Sequence, residues 1–346
     1  MRLVLRPTLK STAIAVVAVL ALSFAPANAS ALKERDTPAD TVPVKIVTYN
    51  TMLLADIMSL GANYDNELRA RRLAQLDLFK GTDVVVLQEL FHISSSTQLL
   101  NGLYDVGFTY QTRVVGADKG PWETHARDWD AEYKEGGGLE NGGVAILSRH
   151  PIERAEQLVY AKGCGADKHA QKGFAYARIN KGGSVFHVVG THPQATECGS
   201  REEAEEIREG QFTRIDTFLT GKERGNAITS SQPVLLAGDM NVDRYTDEYQ
   251  RMLKALRATA PARSGETYSF DTRHNELAKF RYPSDGPEDL DYLLARTGHP
   301  APADWSSAVT RPRTDAFEIR EGFTYGTSTD LSDHYPLTST GTLPRP

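Results

Sequence analysis

Side chains able to hold a divalent cation or move a proton recur at the ends of apolar runs in this chain. Asn50 ends Val47-Thr48-Tyr49, Glu89 follows Val84-Val85-Val86-Leu87-Gln88, and His192 closes Phe186–Thr191. Asp239 and Asn241 follow Val234-Leu235-Leu236-Ala237-Gly238, and Asp333-His334 stands just before Tyr335-Pro336-Leu337. Carboxylates, amides and two imidazoles together make a kit for metal-assisted phosphodiester hydrolysis. These segments lie far apart in sequence, so only a fold that gathers strand ends at one rim assembles them.

Each residue also has a plainer reading. Asn at a strand end is ordinarily a turn residue, a lone histidine is ordinarily structural, and Glu89 is served equally by a salt bridge or by a hard cation that prefers oxygen. In an extended segment residues i and i+2 point the same way, so Asp239 and Asn241 should face one site. Gly238 lets the backbone approach closely. Asp333 suits a metal or its waters and His334 a base, with Asp291, in Asp289-Leu290-Asp291-Tyr292, as the carboxylate that fixes the imidazole tautomer.

The elements that must position them are mostly strands. Runs at 44–52, 84–88, 143–147, 174–179, 185–189, 234–237 and 290–294 read as strands, and His334–Leu337 opens a last one. Helical periodicity marks 66–79, 247–258 and 200–219, the last begun by a Ser200/Glu203 capping box. Strands outnumber helices and several follow one another directly. The expected class is α/β, a sandwich of two mixed β-sheets packed face to face and flanked by helices. Residues 116–142, with Trp122, Trp129 and Tyr133, read as a long loop insertion, and 260–288 and 299–330 as loops.

The chain opens with Arg2, Arg6 and Lys10, an apolar run from Ala13 to Phe24, and Ala27-Asn28-Ala29, the pattern of a secretory signal peptide over 1–29. The run is too short to span a bilayer. A flexible segment at 30–43 and a single catalytic domain at 44–346 would follow. The 346 residues carry a net charge of −6, more acidic once the three basic residues of the leader are gone. That balance offers no electrostatic footprint for nucleic acid. In an exported protein the two cysteines, Cys164 and Cys198, most simply pair; two free thiols are the alternative.

Order and strand-end placement make the joint signal strong. Asn50, Gln88-Glu89, Thr191-His192, Gly238-Asp239-Met240-Asn241, Leu290-Asp291-Tyr292 and Ser332-Asp333-His334 resemble the endonuclease/exonuclease/phosphatase superfamily, the deoxyribonuclease-I-like fold. The resemblance covers nearly all of the chain beyond the leader and implies a four-layer sandwich with Mg²⁺-dependent phosphate-ester cleavage. Gln88-Glu89-Leu90-Phe91, Leu139–Ile146, Cys164-Gly165-Ala166-Asp167 and Lys172-Gly173-Phe174-Ala175-Tyr176 are similar to bacterial secreted neutral sphingomyelinases. That resemblance implies a Cys164–Cys198 disulfide, Asp167 in the active-site cleft, and a phosphocholine-headgroup lipid as substrate. It further implies Mg²⁺ (with Mn²⁺ or Co²⁺ as alternatives) on Glu89, Asn50, Asp239 and Asp333, with catalysis by His334, His192, Asp239, Asn241 and Asp291. A monomer in peripheral contact with a membrane surface is expected.

Two segments depart from the family pattern. An edge metal site in some members uses an Asn after Glu-Leu-Phe and a Glu-Asp pair before Gly-Gly; here His92-Ile93 and Glu140-Asn141 stand instead. Haemolytic members carry a hairpin with adjacent exposed aromatics. Residues 299–330 hold only scattered Trp305, Phe317, Phe323 and Tyr325, which argues against strong membrane insertion and haemolysis.

Overall fold

The computed structural model describes residues 41–55, 62–117, 130–134 (backbone only), 140–196 and 198–345. The leader and most of the 116–142 insertion, including Trp122 and Trp129 and the side chain of Tyr133, lie outside the described residues. Within them run β1 (Thr41–Leu53), α1 (Asn66–Ala74), β2 (Val84–Leu90), α2 (Ile93–Asp105), β3 (Tyr110–Gln111), β4 (Asp130–Lys134), β5 (Ala145–Ser148) and β6 (Ile152–Val159). The chain continues with β7 (Gly173–Lys181), β8 (Ser184–Thr191), α3 (Arg201–Arg224), β9 (Val234–Asp239), α4 (Asp247–Leu256), β10 (Ala258–Thr259), β11 (Ala262–Gly265) and α5 (Glu276–Arg281). It ends with β12 (Asp291–Arg296), β13 (Ala303–Val309), β14 (Phe317–Glu321), β15 (Thr324–Ser328) and β16 (Leu337–Pro344).

Two seven-stranded mixed sheets form, ordered β11-β13-β16-β1-β2-β5-β3 and β10-β12-β9-β8-β7-β6-β4. Their central strands are near-continuous apolar runs because both faces are covered. Ile46, Val84, Val86 and Ile146 of the first sheet meet Ala177, Val188, Leu235 and Leu293 of the second in the middle layer. Outside the first sheet, Leu73 of α1 and Leu99 and Leu103 of α2 pack on Val47, Val85 and Leu87. Outside the second, Phe212, Ile215 and Leu219 of α3 and Met252 of α4 pack on Val189, Leu236 and Tyr292. Helix, sheet, sheet and helix make four layers.

Sequence and structure part in several places. The segment 30–43 is not flexible to its end: residues 41–43 pair with the close of β16. α1 stops at Ala74, and a separate 3₁₀ turn covers Asp77–Phe79. β6 and α2 were not anticipated. β4 lies within the stretch read as loop, β11 and α5 lie within 260–288, and β13 lies within 299–330. The last strand opens at Leu337, not His334, leaving Ser332–Pro336 as a loop. Most consequential, residues 317–328 form a hairpin, β14–β15, whose turn carries a fully exposed Phe323 beside a largely exposed Tyr325.

Candidate active site

The topology explains the assembly. β1 and β2 run parallel, as do β8 and β9, so Asn50, Glu89, His192 and Asp239 arrive at the ends of their strands. β12 is antiparallel to β9 and β16 to β1, so Asp291 and the Asp333-His334 loop enter the same rim from strand beginnings. Asp291 pairs directly with Asp239 in the ladder, which sets two carboxylates side by side.

These groups meet around Asp239. Its Oδ2 accepts from Asn50 Nδ2 at 2.9 Å and lies 3.5 Å from His192 Nε2 and 3.6 Å from His334 Nε2. His334 Nδ1 is 2.8 Å from Asp291 Oδ2, so the imidazole spans two carboxylates. Gly238 is required here, since a Cβ would collide with the Thr191 carbonyl of β8. Asn241 and Asp239 line the same cavity, but through a turn rather than an extended segment. Asn241 has φ +52°, its N–H donates to Asp239 Oδ1 at 3.0 Å, and its Nδ2 donates to Pro193 O at 3.1 Å.

Burial sets the protonation pattern. Burial opposes charge on His334, but Asp291 and Asp239 outweigh it and raise this imidazole well above its ordinary value. His192 goes the other way: burial, then the Lys172 and His334 charges, push it well below the ordinary range, so it stays neutral. Burial lifts Asp239 to about 6 against the pull of His334. Two imidazoles on one carboxylate thus differ in basicity, an arrangement suited to one proton-handling group and one neutral hydrogen-bonding group.

Asp167 is buried against Lys172, whose Nζ donates to Asp167 Oδ2 at 2.9 Å and to Pro193 O at 3.1 Å and lies 3.5 Å from His192 Nε2. Ala195 N also donates to Asp167 Oδ2 at 2.7 Å. Asp167 therefore reaches the site through Lys172. The Cys164–Cys198 disulfide, with Cα atoms 5.3 Å apart, ties this segment to the chain beyond His192.

Among the described residues no three His, Cys, Asp or Glu side chains form a ready metal cage. The oxygens present still fit a hard cation. Glu89 sits at φ +59°, and its carboxyl is pushed up to about 7, first by burial and then by the neighbouring Asp333 charge. Two carboxylates, neither in a salt bridge among the described residues, beside the Asn50 amide suit Mg²⁺, which keeps several waters and takes only one or two carboxylates. His92 and Asn141, at the departures noted above, serve local caps: His92 Nδ1 accepts from Ser95 N, and Asn141 Oδ1 from Gly143 N.

Three cations escaped the sequence reading of the site. Lys172 stood in a segment noted only for its family likeness. Arg69, buried in α1, donates to the carbonyls of Thr51, Met52, Tyr64 and Leu331 and to Asn66 Oδ1, bracing the end of β1 against the loop that carries Asp333. A charged residue inside an apolar helical stripe was the available signal. Arg281 lay in a stretch read as loop. It lines a cavity of about 710 Å³ shared with Glu89, Asp167, His192, Asp239, Asn241, Asp333 and His334.

Comparison with known proteins agrees with this geometry. The Endonuclease/Exonuclease/phosphatase family profile matches residues 47–334. Sphingomyelinase C of Listeria ivanovii is 35% identical over 295 residues, covering 85% of this chain and 84% of that protein. The crystal structure of sphingomyelinase C from Streptomyces griseocarneus superposes with a TM-score of 0.77 at 41% identity, covering 87% of this chain and all of that one. A mutant beta toxin from Staphylococcus aureus, crystallised with bound magnesium ions, gives a TM-score of 0.77 at 31% identity over the same shares. The chain belongs to the endonuclease/exonuclease/phosphatase family, in its sphingomyelinase C branch.

Proposed function

We propose that this chain is a secreted, Mg²⁺-dependent phosphodiesterase that hydrolyses sphingomyelin to ceramide and phosphocholine. The observation that carries the reading is the Asp291–His334–Asp239–His192 relay at the floor of a cavity whose acidic oxygens suit a divalent cation. The kinship with sphingomyelinases C selects the lipid headgroup among phosphate esters.

Magnesium on Glu89, Asn50 and Asp333, with Asp239 adjoining, would polarise the phosphate and ease departure of the ceramide alkoxide. The chain's own groups do the rest. Asp239 orients the attacking water, and His334 takes its proton, held in place by Asp291. Asn241 and neutral His192 hydrogen-bond the phosphoryl oxygens as charge builds on phosphorus. Attack and departure are in line. The β14–β15 hairpin is the surface proposed to meet the lipid, since Phe323 and Tyr325 present apolar area to solvent with no internal role.

His334→Ala should abolish phosphocholine release from sphingomyelin micelles while leaving the unfolding curve unchanged. Near-normal turnover by that variant would refute the assignment.

A further inference from the structure

Arg281 closes α5 and faces the cavity beside Glu89 and Asp333. Its guanidinium carbon stands 5.0 Å from the Tyr282 ring centre and 5.7 Å from that of Tyr64. Among the described residues it makes no hydrogen bond or ion pair, and it is half-buried. Stacking on aromatic faces leaves the in-plane N–H donors of a guanidinium free, the geometry used for bidentate recognition of phosphate.

The rest of the cavity makes that freedom meaningful. A phosphodiester entering it meets the carboxylates of Glu89, Asp239, Asp285, Glu288 and Asp333. The other cation on the wall, Lys172, is already committed to Asp167 and the Pro193 carbonyl. Among the described residues that line the cavity, Arg281 is the guanidinium or ammonium with donors to spare, and its charge is felt at Glu89.

Its placement is also well fixed. Asn275 caps α5 through Leu277 N and Ala278 N, both at 3.0 Å, and its Nδ2 donates to Ser332 O at 2.9 Å, beside Asp333. Phe280, one residue before Arg281, packs on Gly326 of β15, where an added Cβ would lie 2.9 Å from the ring. On the other flank, Tyr64 Oη donates to Glu321 Oε2 of β14 at 3.2 Å. The helix that carries Arg281 and the Tyr64 ring beside its guanidinium therefore both touch the exposed hairpin.

We propose that Arg281 binds the non-bridging phosphate oxygens of the headgroup and is the residue that lets an anionic diester enter so acidic a cavity. The proposal rests on the phosphocholine reading above. The test is calorimetric titration of phosphocholine into the full chain, with Mg²⁺ and with EDTA, for wild type, Arg281→Gln and Arg281→Lys, beside kcat and KM on sphingomyelin micelles.

Loss of one charge-assisted contact predicts affinity and kcat/KM lower by about 10- to 100-fold in Arg281→Gln. Arg281→Lys should recover part of both, and all three proteins should unfold alike. Equal phosphocholine affinity in wild type and Arg281→Gln, or no binding by wild type in either condition, would overturn the proposal. Arg281-dependent binding without any phosphocholine release would uphold it and place the failure in the hydrolase reading.

Discussion

Replacing Asp291 with Asn removes a charge from the relay while keeping its shape. Asp291 Oδ2 lies 2.8 Å from His334 Nδ1, and both side chains are buried. A positive imidazole and a carboxylate with charge centres about 4 Å apart interact by about 4 kcal/mol at an effective dielectric of 20. If His334 becomes positive as it takes a proton from water, that stabilisation is lost near the transition state, and kcat should fall about 1000-fold. The pH profile should move as well. Asp291 helps raise His334 above its ordinary value, and a base acts only when neutral. Without Asp291 the imidazole deprotonates at lower pH, so the acidic limb should shift downward even as the maximum falls. Initial rates of phosphocholine release between pH 5 and 9 would read both effects. An Asp291→Asn enzyme within tenfold of wild type, with an unmoved limb, would refute the argument that the carboxylate acts through His334.

Other perturbations test the scaffold. Arg69→Met would strand four buried carbonyls that the guanidinium now serves; a loss of about 3 kcal/mol or more in urea unfolding is expected, and under 1 kcal/mol would contradict the bracing role. His187, buried between Tyr176 Oη at 2.7 Å and Gln232 Oε1 at 3.0 Å, is pushed down to about 4 by burial. As pH falls the unfolded chain takes up this proton first, so the contribution is intact above the unfolded value near 6.5 and lost toward pH 4, about 3 kcal/mol in all. His187→Gln should flatten that part of the stability curve, and an unchanged slope would be inconsistent with this assignment. Cys164→Ser/Cys198→Ser opens a loop with a sequence separation of 34 and should cost roughly 4 kcal/mol by urea unfolding; an unshifted midpoint would show that the disulfide adds nothing.

The strands that carry the site were legible because buried central strands leave little room for polar residues except at their ends. Val84–Gln88 before Glu89 and Val234–Ala237 before Asp239 announce themselves in that way. Other elements were hidden by local chemistry. β6 carries Glu153, Arg154 and Glu156, which blur its alternation; Arg178 and Lys222, from elsewhere, neutralise the two glutamates, and Arg154 pairs with Glu156 within the strand. α2 begins Ile93-Ser94-Ser95-Ser96-Thr97, weak helix formers whose start depends on the His92 cap. β14 is short, and its inward residues, Phe317 and Ile319, show their purpose only when packed against the first sheet's outer layer. His334–Pro336, the end of the loop before β16, reads as strand because Tyr335 and its neighbours are buried. Ser332 Oγ instead donates to Asn50 O at 2.7 Å, turning Asp333 and His334 toward the other strand ends. Arg69 left a local signal, but the Leu331 carbonyl that gives it its bracing role comes from a remote segment, and nothing in the stretch around Arg281 encodes the cavity that it faces.

The most direct measurement is phosphocholine release from sphingomyelin/detergent micelles with Mg²⁺ and with EDTA, alongside a supercoiled plasmid under the same conditions. Release should require Mg²⁺ and leave the plasmid intact. A nicked plasmid with no phosphocholine released would contradict this, keeping the fold but moving the substrate to nucleic acid.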